Sequence, residues 1–541
     1  MDRPSRTTPP SGLSDSAGRA SIRYREGGEA RLRILVWHGW LLEGTGSNVY
    51  TAKVAEVWRR QGHDVVILCQ QRFTDRLPFV DHWFAPLGGR GGIDRIVHGE
   101  PPAPGRVSVL NPDIGDLLPV FVEDDYEGFT VKRFVDLRDA ELEEYLVRNV
   151  DALRDVGREH PPDVVVAGHL VPGPVIARRG LGEGYVAKVH GSDLEYAARV
   201  QERYADLARE GLEGARAVVG ASRDVLARAV EVVPAVADRT RVVPPGVDVD
   251  RWRPRLRIEA LQEAADRLVK DLDTVRGRPS DTNRRVAALV QGRVGPGIET
   301  VARSYDQAVA DPDAADRLRV LAGYGGPVLG YLGKLIPQKG VERLIEALAL
   351  LRPEARGVVV GFGLGREWLV ALTTVLDDGD IEAYRWLREA SPLQLELDPA
   401  EVRAAAGLAD RVTFTGRLDH RYAPEAVAAF DVLVVPSTLE EAFGMVAAEG
   451  AAAGAIPLVA RHSSLAEVAQ ALEAKAGRPG MLSFEPGPGA THRLAEALER
   501  LLVLPPEERQ ALREAVRSHV VSAWTWEQTA ERLLAAAAPA P

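Results

Sequence analysis

One cysteine, three methionines and seven lysines are all that 541 residues contain of those types, beside sixty arginines. The single cysteine, Cys69, excludes an intramolecular disulfide framework and a cysteine-rich metal site. It ends an apolar run and reads as inert core packing. No apolar run approaches the ~18 residues of a membrane span. Residues 1–30 lack the apolar core of a signal peptide and read as a disordered tail, so the expected location is cytoplasmic. Acidic residues outnumber basic ones, 78 against 67, for a net charge of −11. A nucleic-acid partner calls for a basic face instead, and that class is set aside. With 45% apolar residues, the chain is long enough for two or three domains around large cores.

What is present is alternation. Residues 31–69, RLRILVWHGWLLEGTGSNVYTAKVAEVWRRQGHDVVILC, run from an apolar strand through a Gly-rich turn into a helix, then into a second strand. Val54, Val57 and Trp58 share one face of that helix. Residues 327–363 repeat the scheme, with Val341, Leu344, Ile345 and Leu348 at helical spacing. Short apolar runs fit for doubly buried strands follow each segment: DVVVAGH, YVAKVHG, AVVGAS and RVVPPG in the first half, RVTFTG, VLVVPS and IPLVA in the second. Strands alternating with helices predict parallel sheets, and two such sets predict an α/β chain of two Rossmann-like, doubly wound domains. The first is expected over 31–246 and the second over 326–519, with a linker and charged helical insertion over 247–325. A second helical insertion is expected over 366–408, and a last helix at about 520–536 has Trp524 and Trp526 to pin it to a neighbour. Open parallel sheets bind ligands at the carboxyl ends of their strands, so two facing sheets leave one large cleft between domains.

The first glycine loop, EGTGSNV, fails as a dinucleotide fingerprint. Its third glycine is missing, and the second strand ends ILCQQ with no acidic residue for a ribose. Gly44 and Gly46 instead let backbone approach a ligand at a helix N-terminus, the alternative being a tight turn without one. GKLIPQKG, residues 333–340, places Lys334 and Lys339 in a loop that opens a helix, an arrangement suited to a diphosphate. Solvated surface lysines are the competing reading, and a chain that otherwise uses arginine argues against it. GFGLG, residues 361–365, ends a strand and offers bare amides at Gly363. EEAFGMVAAEG, residues 440–450, puts Glu441 at a helix mouth and Glu449 eight residues on, roughly 12 Å along a helix axis. That separation suits two ends of an extended ligand: a sugar on Glu441, a diphosphate on the amides of Phe443, Gly444, Met445 and Val446, and a ribose diol on Glu449. A nucleoside diphosphate sugar fits the set.

Together these residues resemble a known family. EAFGMVAAE is similar to the E-x7-E element of the retaining, GT-B-fold glycosyltransferases of family 4 (glycosyl transferases group 1). VVPPGVD, GKLIPQKGV, VTFTGRL, VVPS and GAIPLVARHSSLAEV fall in that family's order, and GTGSNVY…GHDV and HGSDLEY resemble its first-domain elements. The resemblance covers most of residues 31–535 apart from the two insertions. It implies an acceptor-binding first domain, a donor-binding second domain, and a last helix that crosses back to the first. Lys334 stands where the family usually has arginine; it keeps the charge and loses the planar fork. By resemblance His190, in KVHGSDLEY, touches the transferred sugar, the other reading being a core histidine. Core readings are favoured for His38, His169, Trp37 and Trp40, although the tryptophans flank the glycine loop and are placed to stack on an acceptor ring. Asp248 and Asp250, in DVD, are refused as a metal motif, and EDD at 123–125 reads as a solvated turn. The expected enzyme is a metal-independent hexosyltransferase without a cofactor, acting on a carbohydrate or other hydroxyl acceptor. A phosphorylase or sugar-phosphate synthase of the same fold is one rival, which extra basic residues in the first-domain half of the cleft would favour; Lys53, Lys132 and Lys188 are the lysines there. A catalytically inactive nucleotide-sugar-binding protein is the other. A lipid acceptor at a membrane is less favoured, because only isolated basic pairs such as Arg59–Arg60 occur.

Overall fold

The computed structural model describes residues 31–72, 77–86, 92–96, 101–122, 126, 128–351 and 354–538. The expectations for residues 1–30 and for 123–125 lie outside them. A nine-stranded sheet runs, in spatial order, Thr240–Val242, Ala215–Gly220, Tyr185–Lys188, Val164–Gly168, Arg33–Trp37, Asp64–Leu68, Arg106–Leu110, His82–Pro86 and Gly92–Ile96. Every neighbouring pair is parallel except the last, which is antiparallel. The five strands of the alternating motifs are those the sequence announces beside Arg33–Trp37. The three at the far edge are not, because HWFAP and RVSVL are short and interrupted by polar residues or proline. A two-stranded parallel sheet, Leu117–Val120 with Thr130–Arg133, flanks the first domain.

The second sheet has six parallel strands in the order Val412–Gly416, Arg356–Phe362, Val328–Lys334, Val432–Val435, Ile456–Ala460 and Ser483–Phe484. Its central runs, GVVVG, VLVV and IPLVA, are buried along their whole length, which is why they read as continuous β-branched stretches rather than alternating ones. The helices between 257 and 322 pack into the same hydrophobic core as this sheet. Buried ion pairs fasten them there: Arg278 donates to Glu367 at 2.7 Å, and Arg366 donates to Asp311 at 2.6 Å. Helix Arg366–Asp378 is the crossover between two strands of the sheet and is buried along most of its length, so the segment 366–408 begins as part of the sheet's own framework. Among the described residues no helix is long and apolar enough to cross a membrane.

The two domains are joined twice at one place. Val247, in the linker, donates its N–H to the Trp524 carbonyl at 2.8 Å and bridges Thr525. Trp524 meets Phe443 of the second domain, ring centroids 5.1 Å apart. Trp526 opens helix Trp526–Ala537, which lies in a core of the first domain, and its ring is 5.7 Å from Tyr50. The adjacent tryptophans therefore anchor one in each domain.

Trp526 is 5% exposed. Trp526→Ala should lower the apparent unfolding free energy by roughly 3–5 kcal/mol, the usual cost of emptying a buried aromatic site. Urea unfolding followed by near-UV circular dichroism measures it; a loss below about 1 kcal/mol would mean that the last helix is not held by this ring.

Candidate functional site

The carboxyl ends of both sheets open on one cleft of about 630 Å³. Loops after Trp37, Gly168, Lys188 and Gly220 form one wall, and those after Lys334, Gly416 and Val435, with the strand end at Gly361 and Phe362, form the other. Gly46, Lys334, Lys339, His190, Glu441, Phe443, Gly444, Met445, Val446 and Glu449 all line it. Gly363 does not, although its neighbours Gly361 and Phe362 do. It closes the turn behind the wall: φ is +138°, and a Cβ there would sit 2.6 Å from the Leu335 carbonyl oxygen. Gly46 reaches across the cleft, where a Cβ would lie 3.8 Å from Met445 Sδ.

Helix Met445–Ala453 starts four residues after Glu441, so Glu441 stands on the preceding loop and the 12 Å separation along a helix axis does not apply. Gly444 makes the entry, with φ of +89°. The amides of Met445 and Val446 have no intrahelical acceptor, and both residues line the cleft. The loop is held from three sides. Lys339 pairs with the Glu441 carboxylate. Ser464 Oγ donates to the Glu441 carbonyl at 2.7 Å, and Arg228 Nη2, from the first domain, donates to the same oxygen at 3.2 Å. The two residues separately assigned to a diphosphate and to a sugar thus meet each other.

Lys334, the last residue of its strand, and Arg417, which follows Gly416, approach the same Phe362 ring at 6.0 and 4.8 Å from its centroid. Neither pairs with a carboxylate among the described residues. Arg417 was missed in the sequence, where GRL was read only as part of a motif order; a cation directly after a strand end was the available signal. Glu449 is 7% exposed and has no hydrogen-bond partner among the described residues. Burial alone raises its carboxyl from the ordinary value to about 7.

On the opposite wall the His190 ring lies 4.5 Å from that of His169 and 5.6 Å from Tyr50. Burial, with His169 and Lys188 nearby, holds the His190 imidazole well below the ordinary histidine value, so it is neutral. His38 is a core histidine: it meets Leu41, Asn48 and Thr51 at 2.8, 3.0 and 3.2 Å. His169 lines the cleft instead. Trp37 is buried and donates to Asn149 at 3.0 Å, whereas Trp40 presents its ring to the cleft while its N–H bonds the Pro119 carbonyl. Cys69 is buried. Asp248 sits 3.6 Å from Lys53 and accepts from the Arg251 amide. Arg228 and Glu467 complete the contact between domains. Arg228 joins Glu195 at 2.6 Å and Glu440 at 3.4 Å, and Glu467 of the second domain accepts from the Arg223 and Asp224 amides that open a first-domain helix.

Comparison with known proteins follows the same division. The family described as glycosyl transferases group 1 matches residues 319–519, and the glycosyl transferase 4-like domain matches 45–246. A 2-deoxystreptamine glucosyltransferase of Streptomyces kanamyceticus is 29% identical over 201 residues, 36% of this chain and 41% of that protein. A GDP-mannose-dependent monoacylated alpha-(1-6)-phosphatidylinositol monomannoside mannosyltransferase of Corynebacterium glutamicum is 27% identical over 244 residues, 43% of this chain and 52% of that protein. The chain thus spans about half or less of the length of these relatives. HepE from Anabaena, solved in complex with UDP and glucose, superposes with a TM-score of 0.53 at 15% identity, covering 93% of this chain and 99% of that one. That likeness concerns the fold, which is GT-B.

The raised carboxyl of Glu449 has a consequence for stability. Its folded-state value of about 7 exceeds the unfolded one of about 4.5, so its favourable contribution is complete below about pH 4.5 and is lost as pH rises through about 7. Glu449→Gln stays neutral throughout. The variant should therefore match the parent near pH 5 and exceed it at pH 8, by up to roughly 3 kcal/mol. Paired denaturant titrations at the two pH values decide it, and a variant less stable at pH 8 would contradict the isolated-carboxylate picture.

Proposed function

The chain belongs to the glycosyl transferases group 1 family, and on that premise we propose that it moves a hexose from a nucleoside diphosphate sugar to a hydroxyl acceptor. We infer retention at the anomeric carbon and no metal requirement. One observation carries the reading: Lys334, Arg417, the Lys339–Glu441 pair, a helix N-terminus and an unpartnered Glu449 line one cleft between two domains. The neighbour HepE holds UDP and glucose, which agrees with this donor class. The curated relatives are named for 2-deoxystreptamine and for a phosphatidylinositol monomannoside, so the donor half of the reading is the firmer guide.

In this mechanism the diphosphate lies at the N-terminus of helix Met445–Ala453, where open amides and the helix dipole favour an anion. Lys334, Lys339 and Arg417 flank it. Its arrival draws Lys339 away from Glu441, and the freed carboxylate takes the sugar hydroxyls. Glu449 accepts from the ribose diol and so gains the hydrogen-bond donors that its burial otherwise denies it. Neutral His190 hydrogen-bonds a hydroxyl of the transferred sugar. The bond from the anomeric carbon to the diphosphate oxygen breaks while the acceptor oxygen bonds the same face. The acceptor's proton passes to the leaving phosphate oxygen, so no carboxylate nucleophile is required. The cations and amides stabilise the departing diphosphate, and contact between the domains through Arg228 and Glu467 keeps water from the donor.

The test is a panel of UDP, GDP and ADP sugars, scored in EDTA for thermal stabilisation and for donor hydrolysis. At least one should stabilise the protein and be turned over under chelation. Activity recovered only on adding Mg or Mn would overturn the metal-free mechanism, and stabilisation by none would overturn the donor reading. Lys339→Ala should weaken binding of the chosen nucleoside diphosphate by roughly 1.5–3 kcal/mol, the scale of a charge-assisted bond, and leave the nucleoside nearly unaffected.

The two glutamates should fail differently. Glu441→Gln removes charge beside the sugar, so affinity for the free nucleotide should stay within about twofold while turnover falls at least about a hundredfold. Glu449→Gln should weaken nucleotide and nucleotide sugar alike, by about 1 kcal/mol or more, through a poorer bond to the ribose. Calorimetry beside steady-state kinetics separates the roles. Equal loss of nucleotide affinity in both variants would show that Glu441 does not serve the sugar end.

A further inference from the structure

The first-domain wall of the cleft contains polar groups that the donor does not use. Lys188 is 2% exposed, lines the cleft, and makes one hydrogen bond, to the Val189 carbonyl at 2.9 Å. Its ammonium lies 4.8 Å from the centroid of the Tyr50 ring. The Tyr50 hydroxyl and His169 Nδ1 are buried and have no hydrogen-bond partner among the described residues, and both residues line the same wall. An ammonium carries three donors, so two of those on Lys188 are unspent. The field of Asp193 reaches Lys188, but that carboxylate already accepts amides of Leu170, Gly191 and Leu194. Leaving such groups buried and unmatched is costly. The other lysines once assigned to this half are occupied: Lys132 pairs with Glu141 at 2.6 Å, and Lys53 with Glu56 at 3.0 Å.

The carboxylates around the cleft point the same way. Glu195 and Glu440 are bound to Arg228, Glu441 to Lys339, and Asp419 to Arg421 at 2.8 Å. A cationic acceptor would meet the ammonium of Lys188 and no unpaired carboxylate on the first-domain wall. An anionic one would meet two free ammonium donors, a phenol hydroxyl and an imidazole nitrogen, beside the rings of Trp40 and Phe121, which pack on each other with centroids 5.3 Å apart. Those rings offer an apolar face for a sugar or cyclitol ring.

We propose that the acceptor carries a negatively charged group, a phosphate monoester or a carboxylate, which Lys188, Tyr50 and His169 bind beside His190. This rests on the transferase reading above and adds the acceptor class to it. The chemistry of the site fits a sugar phosphate or a uronic acid and disfavours an amino sugar.

The test uses the full chain carrying Lys334→Ala and Lys339→Ala, so that the donor-side lysines cannot take the anion. Glucose 6-phosphate, glucuronate, glucose and glucosamine are titrated by calorimetry. One or both anionic sugars should bind at least about tenfold tighter than glucose, with glucosamine weakest. Preference for glucose 6-phosphate alone assigns the group as a phosphate monoester; a shared preference assigns a general anion site. Adding Lys188→Met should bring the anionic sugars to within about twofold of glucose, and adding Tyr50→Phe should reduce the preference in part. If Lys188→Met does not fold, Tyr50→Phe and His169→Asn carry the comparison. Glucosamine binding as tightly as the anionic sugars, or a preference unchanged by these substitutions, overturns the proposal. The nucleoside diphosphate panel is read on the unsubstituted chain, so failure of the donor reading registers there and failure of the acceptor class registers here.

Discussion

The chain passes between its two domains twice, and both passages lie side by side. Val247 in the outgoing linker and Trp524–Thr525 in the returning segment share a hydrogen bond and a bridge. Gly246 must be glycine-sized there, since a Cβ would fall 2.3 Å from the Trp526 nitrogen. Two segments of backbone joined at one point hold the domains together there. Everything in the cleft inherits its alignment from that constraint. The amides of helix Met445–Ala453 and the wall of His190 belong to different domains, and they line one cleft because this joint fixes which strand ends oppose each other. Trp524 packs on Phe443, one residue before the glycine that opens that helix, so the crossing touches the site itself.

Within the cleft, charge is arranged in two unlike ways. Some groups are paired with each other, as Lys339 with Glu441 and Arg228 with Glu195. Others are left unmatched in burial: Glu449 on one wall, Lys188, Tyr50 and His169 on the other. Fold stability does not account for the second set, because each unmatched buried group weakens the fold. The groups are also separated by wall, the carboxylate of Glu449 on the second-domain side and the ammonium of Lys188 on the first-domain side. A protein selected only to fold would bring opposite charges together, and their placement on different walls is intelligible when each serves a ligand.

Much of this was legible from residues. Runs such as GVVVG and VLVV announce doubly buried strands because parallel sheets need apolar side chains on both faces, and all of the alternating runs became strands of the two sheets. The edge strands 82–86, 92–96 and 106–110 were not legible: a sheet edge imposes weaker patterning, and HWFAP or GIDRI carries no period that distinguishes strand from loop. In the site, the rarity of lysine exposed Lys334 and Lys339, whereas Arg417 was hidden among sixty arginines. The partnering of Lys339 with Glu441, 102 positions apart, has no local signature at all. Nor has the role of Arg228, whose contacts to Glu440 and the Glu441 carbonyl cross between the domains.

Arg228 shows how closure and chemistry are tied. It belongs to a first-domain helix, yet it holds the carbonyl of Glu441, and the same oxygen is held from behind by Ser464 of the second domain. A carbonyl gripped from both domains ties the position of the Glu441 loop to the contact between them. Lys339 restrains the side chain of the same residue and is also a cation for the diphosphate in the proposed mechanism. In that mechanism donor binding would loosen the side chain while the contact between the domains holds the backbone. The carboxylate would then be free to meet the sugar only with both donor and first domain in place, which couples an ordered site to a filled one.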